Sequence, residues 1–358
     1  MENQTSIKKK KIIKIFNNKI EENTINNFFF EKTDEKILIE DSFSELWIDN
    51  SFYIFKAYND ILFFIYSNIN NTIISYNLID DRKQNEIKNA HSCPITNFRH
   101  FFDNKNERDL ILTISGDNNN IKLWDFNKFE CLLNICEINK NGWLDSACFF
   151  NKNNNIYIVT SNCNYDYPAE PIKIFDFKGN KIKELDDSFD LTYFIDIYED
   201  IINNKSYIIT GTKGYSKSYD YYNNKVYHKY IAKNEKEEFH MSIIFDNNEK
   251  ITKMIESCCS GNVIVWNFHS KDIIKIIHVN DEWLYGIGFL EKNILYVGCK
   301  NGEIKIIDIN KGKIINNFTI HNEKVLTIKK INHPKYGDCL ISNDLSCIKL
   351  LIYKKINN

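Results

Sequence analysis

Seven times along this chain a polar turn leads into a short alternating strand that ends on one large apolar residue, and no other feature restricts the fold as tightly. The clearest copies are SGDNNNIKLWDFNK (115–128), EPIKIFDFKGNKIKEL (170–185), GYSKSYDYYNNKVYHKY (214–230), SGNVIVWNFHSKDIIKII (260–277) and KNGEIKIIDINKGKII (300–315). NTIISYNLIDDRKQNEI (71–87) and SCIKLLIYKK (346–355) follow the same layout. The large residue recurs at Tyr76, Trp124, Phe175, Tyr219, Trp266, Ile307 and Leu351, at spacings of 41 to 51 residues. In six copies an acid or an amide fits the next position or a second turn follows directly, so each copy is one supersecondary unit rather than an isolated hairpin.

A period of about 40–45 residues with four short strands per unit is the pattern of a β-propeller. Residues 284–318 divide into LYGIGFL, NILYVGC, EIKIIDI and KIINNF, joined by Asn, Lys and Gly turns. One such sheet cannot bury both faces, so neighbouring units must stack around a ring. The expected fold is therefore all-β: a seven-bladed propeller of four-stranded antiparallel sheets. The last unit offers only three strands before the sequence stops at Asn358, and KILIE (36–40) is expected to supply the fourth and close the ring. That closure removes free sheet edges. Residues 1–35 are read as a Lys-rich, partly flexible extension and 36–358 as the propeller; an eighth sheet beginning at KIIKIF (11–16) is the alternative.

The finer pattern resembles the WD-repeat family, whose third strands end in Trp-Asp and whose blades are preceded by Gly-His. Trp124-Asp125 is the complete pair and Trp266-Asn267 comes close. His91 and His321 each stand four residues before an apolar strand start, after Ala90 and Ile320 rather than glycine. The resemblance covers about residues 36–356. It implies structural roles for Trp124, Asp125, Trp266, His91 and His321, with a partial His-Ser-Trp-Asp hydrogen-bond network.

Composition narrows the chemistry. The net charge of −2 gives no global reason to bind a polyanion, so no nucleic-acid partner is expected. The 45 Phe and Tyr favour strands. The ten cysteines form no CxxC pair and no zinc-spaced quartet, which suits a reducing compartment. No apolar run reaches membrane-spanning length and no signal peptide is evident. A cytoplasmic protein is expected, with Lys8–Lys11 as a possible nuclear-import tag. No P-loop, HExxH, GxSxG or EF-hand loop is present, and Gly286-x-Gly288 lacks the third glycine of a dinucleotide site. Neither catalytic residues nor a cofactor or metal is expected.

Aligning the first strand of each blade on an apolar-x-x-apolar spacing places Trp47, Pro94, Trp143, Tyr193, His240, Trp283 and Lys324 in one column. In WD-repeat proteins this position opens onto the top face, so Trp47, Trp143, Tyr193, His240 and Trp283 are the candidate partner-binding residues. The expected function is a non-catalytic scaffold, monomeric within a larger complex, that binds a protein or peptide there. The alternatives are a substrate receptor of a cullin-type ubiquitin ligase, for which no copy carries the full Trp-Asp-x-Arg/Lys ending, and a propeller hydrolase, which would need acids and arginines clustered in the central channel.

Overall fold

The computed structural model describes residues 28–40, 52–115, 120–136, 144, 146–161, 170–232, 240–246 and 251–357. These form seven four-stranded antiparallel sheets, each in simple up-and-down order, and no helix occurs among the described residues. Strands are lettered a to d within each blade, from the innermost outwards. Blade one spans 52–87, blade two 95–135, blade three 147–184, blade four 192–230, blade five 240–278 and blade six 284–319. Blade seven takes strands a to c from Thr327–His333, Gly337–Asn343 and Cys347–Asn357. Its strand d is Phe28–Glu40, paired antiparallel to the last strand.

The ring is visible in how apolar side chains are shared. Seven buried clusters each draw on two consecutive blades, and one of them joins blade seven to blade one. In that closing cluster Phe52, Phe64 and Tyr76 meet Cys339, Ile341 and Leu350. Each residue of the seven-fold apolar repeat is buried at the seam with the preceding blade. Trp124 packs against Phe63 and Ile65 of blade one, and Trp266 against Tyr207 and Tyr230 of blade four.

The repeat also fixes a recurring defect. In blades one to six the pairing of strands c and d slips by one residue just before the column residue, at Ser75/Tyr76, Leu123/Trp124, Ile174/Phe175, Ser218/Tyr219, Val265/Trp266 and Ile306/Ile307. The extra residue lies in the outer strand, and at Leu132, Ile182 and Ile274 it is an exposed hydrophobic side chain. Such a bulge twists the edge strand away from further pairing.

The closing strand starts at Phe28, eight residues before the expected Lys36. EKTDEK (31–36) looks like a polar linker in sequence because an outermost strand faces water on its free side. Phe30 is its anchor: the ring is 1 % exposed among Leu290, Tyr296 and Leu351, and its N–H donates to Asn316 Oδ1 at 2.9 Å.

Candidate interaction rim

One end of the ring is built from the d-to-a connections between blades and the b-to-c turns within them. These connections are held from both sides. Between blades six and seven, the N–H groups of Ile320 and His321 donate to Gly302 O, in the b–c turn of the blade being left. From the blade being joined, Lys349 Nζ donates to Ile320 O at 2.7 Å. Between blades five and six, Val279 N and Asn280 N donate to Gly261 O, while Lys305 Nζ reaches Val279 O at 2.9 Å. Between blades one and two, Ala90 N donates to Asn71 O and Ala90 O accepts Lys122 Nζ at 2.6 Å. Lys217 Nζ bonds Asp187 O at 3.0 Å in the same manner.

Each of these lysines stands two residues before the apolar column residue, and Lys122, Lys305 and Lys349 form Ile-Lys pairs while Lys217 follows Ser216. A lysine in an alternating strand ordinarily marks a solvated face, so this role is not legible from the pattern alone. Gly261 and Gly302 have φ near +80°, and a Cβ on them would lie 1.7 Å from Asn280 O and 2.1 Å from His321 O. Only glycine permits that approach.

The two predicted histidines complete these seams. His91 Nε2 lies 2.8 Å from Thr113 Oγ1, which also accepts Trp124 Nε1 at 2.8 Å. Burial, with Lys122 adding to it, pushes the His91 imidazole down to about 3, so the ring is neutral. His321 Nε2 lies 2.8 Å from Ser342 Oγ, and its Nδ1 lies 3.1 Å from Asp344 Oδ2. The network is thus partial, as read from the sequence: Thr113 and Ser342 fill the hydroxyl place, and Leu351 replaces the indole in blade seven. In blade five Glu256 fills it, and Trp266 Nε1 donates to Glu256 Oε2 at 2.7 Å.

Asp125 works at the opposite end. Its Oδ1 accepts the N–H groups of Asn127 and Lys128, each at 3.1 Å. Asn77, Asp176, Asp220, Asn267 and Asp308 cap their own c–d turns in the same way. The carboxylate of Phe175-Asp176-Phe177-Lys178 is therefore bound into its turn.

The aromatic column needs correction. Trp47 and Trp143 lie outside the described residues, as does the side chain of His240. Backbone pairing makes Ile95, Thr192, His240 and Leu284 equivalent, since they oppose Ser115, Thr212, Cys258 and Cys299 at the end of strand b. Trp283 then shares its place with Pro94 and Leu191. His240 falls one residue later and Tyr193 two later. Strand a begins on a polar residue in blades four and five, Thr192 and His240, so the apolar spacing starts late there, and Tyr193 is the unmatched bulge residue between Thr192 and Phe194. Thr96 and Met241 hold the corresponding bulge in blades two and five, and blade six has one between Leu284 and Ile287. Tyr193 and Trp283 are nevertheless both half-buried at this end of their first strands. The Trp283 ring lies 6.4 Å from that of Tyr285, and its carbonyl accepts Lys300 N–H at 3.0 Å.

The inner strands carry one arginine among the described residues, Arg99, which donates to Phe98 O. Asp196 lies on strand a of blade four, and Cys148 on that of blade three. Burial, reinforced by the Asp196 charge, pushes the Cys148 thiol far up, so it is not a thiolate nucleophile.

Residues 258–334, from the end of strand b in blade five into blade seven, match the family described as the Anaphase-promoting complex subunit 4 WD40 domain. No curated protein matches the chain. Seven stacked four-stranded blades, the capped c–d turns and this match define the class: the chain is a WD40-type β-propeller.

Proposed function

We propose that this propeller is a non-catalytic protein-interaction scaffold whose partner docks on the rim formed by the d–a connections. WD40 propellers typically act in this way. The observation that supports the reading here is the double clamping of the rim connections, because a loop fixed in advance loses little entropy when a partner binds. Trp283 is presented at one such connection with its backbone held and its ring half-buried. An aromatic in that state offers apolar area at low ordering cost and suits a binding anchor. The name of the matched family, a subunit of the anaphase-promoting complex, agrees with a role inside a larger assembly. The proposal covers a monomeric propeller, working inside the cell, with a protein or peptide partner.

The test compares two faces. Ile201 and Ile202, at the tip of the a–b turn of blade four, are 90 % and 93 % exposed on the opposite end. Full-length wild type, Trp283→Ala and Ile201→Ser/Ile202→Ser are used to recover crosslinked partners from native cells, with a thermal melt of each. The rim reading expects Trp283→Ala to lose a partner that the double variant keeps, at an unchanged melting temperature. Loss by the double variant alone would overturn it.

A further inference from the structure

Blade seven adds a third donor, Cys347, to the His321–Asp344 pair of its seam, so that three chemically different donors meet there. His321 comes from the d–a connection, Asp344 from the b–c turn and Cys347 from the first residue of strand c, and all three are buried. His321 Nδ1 lies 3.1 Å from Asp344 Oδ2 and 3.8 Å from Cys347 Sγ. Cys347 Sγ lies 3.4 Å from Asp344 Oδ1. A zinc ion bound at about 2.0 Å to nitrogen and oxygen and about 2.3 Å to sulfur separates tetrahedral ligands by about 3.3–3.6 Å. The imidazole nitrogen, the carboxylate and the thiol, with one ligand atom from each within 4.8 Å of the others, therefore surround a point such an ion would occupy.

We propose that His321 Nδ1, Asp344 Oδ2 and Cys347 Sγ form a binding site for one divalent metal ion of the zinc class. Their surroundings are those of ligands. Ser342 Oγ takes Nε2 of His321 at 2.8 Å, which fixes the imidazole with Nδ1 turned to the cluster. Asp344 Oδ1 accepts the N–H groups of Ser346 and Cys347, both at 2.8 Å, and leaves Oδ2 facing the histidine. The donor set of imidazole, carboxylate and thiol selects zinc or cobalt over calcium or magnesium, which prefer oxygen alone.

Cys347 is peculiar to this blade. Four residues before the column residue, blades one to six carry Thr72, Asn120, Pro171, Tyr215, Asn262 and Glu303. With Leu351 in the column, Ser342 receives no indole either, so the pocket differs from the Trp124 seam on two sides. Burial first, and then the Asp344 charge, push the Cys347 thiol up to about 11. The metal binds as the thiolate forms, and the thiol proton leaves to solvent. The site is independent of the rim reading, since neither Trp283 nor a partner takes part.

The experiment uses the full chain, stripped with a chelator under reducing conditions and titrated with zinc or cobalt(II) chloride. The expected result is one zinc retained per chain after dialysis, a rise in melting temperature with zinc, and a thiolate-to-cobalt charge-transfer band. Cys347→Ser, which changes one atom, should abolish the band and weaken zinc retention at least tenfold. Cys131→Ser, at an exposed cysteine, should leave both unchanged. A wild type that retains no zinc overturns the proposal, as does a cobalt band that survives in Cys347→Ser. The wild-type titration decides the matter even if Cys347→Ser folds poorly.

Discussion

Trp266 Nε1 donates to the buried carboxylate oxygen Oε2 of Glu256 at 2.7 Å, whereas the equivalent Trp124 Nε1 donates to the hydroxyl of Thr113 at 2.8 Å. Both rings fill blade seams, but their polar atoms meet acceptors of different strength. Replacing either tryptophan by alanine should cost about 3–5 kcal/mol, the range for a large buried aromatic. Replacement by phenylalanine separates ring from hydrogen bond. Trp124→Phe removes a bond worth about 0.5–1.5 kcal/mol, while Trp266→Phe removes a carboxyl-directed one worth about 1.5–3 kcal/mol. Urea unfolding of the two phenylalanine variants checks the order; equal losses would refute it.

The closing strand gives a graded truncation series. Residues 1–35 read from the sequence as a partly flexible extension, but Phe30 is buried in the seam between blades six and seven. The chain lacking 1–27 keeps the whole closing strand and is the reference for the series. Deletion of 1–30 should cost about 3–5 kcal/mol through the lost phenylalanine. Deletion of 1–40 also removes Glu35, which pairs with Lys349 at 2.8 Å, and opens blade seven altogether. Calorimetry of the three truncated chains reads the series.

His91 makes stability depend on pH. Its folded-state value, about 3, lies below the ordinary histidine value of 6.5, so the unfolded chain binds the extra proton first as pH falls. The contribution is therefore fully present above about pH 6.5 and is lost as pH falls toward 3. The slope from this one group reaches at most about 1.4 kcal/mol per pH unit. His91→Gln should be less stable at neutral pH yet lose stability more slowly between pH 6.5 and 4. Parallel slopes for variant and wild type in urea titrations across that range would contradict the assignment.

What the sequence revealed, and what it hid, follows from how each strand is marked. Strand c ends on a seam residue followed in six blades by a turn-capping Asp or Asn, two constraints at fixed offsets, and so Tyr76 through Ile307 could be aligned by eye. Strand a carries no such pair. Its first paired residue is apolar in blades two and six, Ile95 and Leu284, but polar in blades four and five, Thr192 and His240, so an apolar-x-x-apolar match starts late there and sets Tyr193 two positions and His240 one position beyond the place of Trp283. The start of the closing strand was hidden because Glu31 to Lys36 face water on the outermost edge. The cluster at His321 was invisible for another reason: Asp344 and Cys347 lie more than twenty residues away in sequence, and only the seam brings them to the imidazole.

The lysine clamps offer a test of whether the rim is held in advance. Lys305 Nζ and Lys349 Nζ donate to Val279 O and Ile320 O from within strand c, and each carbonyl belongs to a connection that must stay in place for Trp283 or His321 to be presented. Methionine keeps the aliphatic stem and removes the donor. A buried acceptor left without its partner costs about 1–3 kcal/mol, so Lys305→Met should lower global stability by no more than that. The local effect should be larger relative to its size. Amide hydrogen exchange at residues 279–284 should quicken at least tenfold in Lys305→Met, and that at 320–325 should stay unchanged; Lys349→Met should do the reverse. If both variants loosen both connections equally, the clamps act on the ring as a whole rather than on single rim loops. If neither connection responds, the rim is held by the b–c turns alone and the lysines contribute only to the strands that carry them.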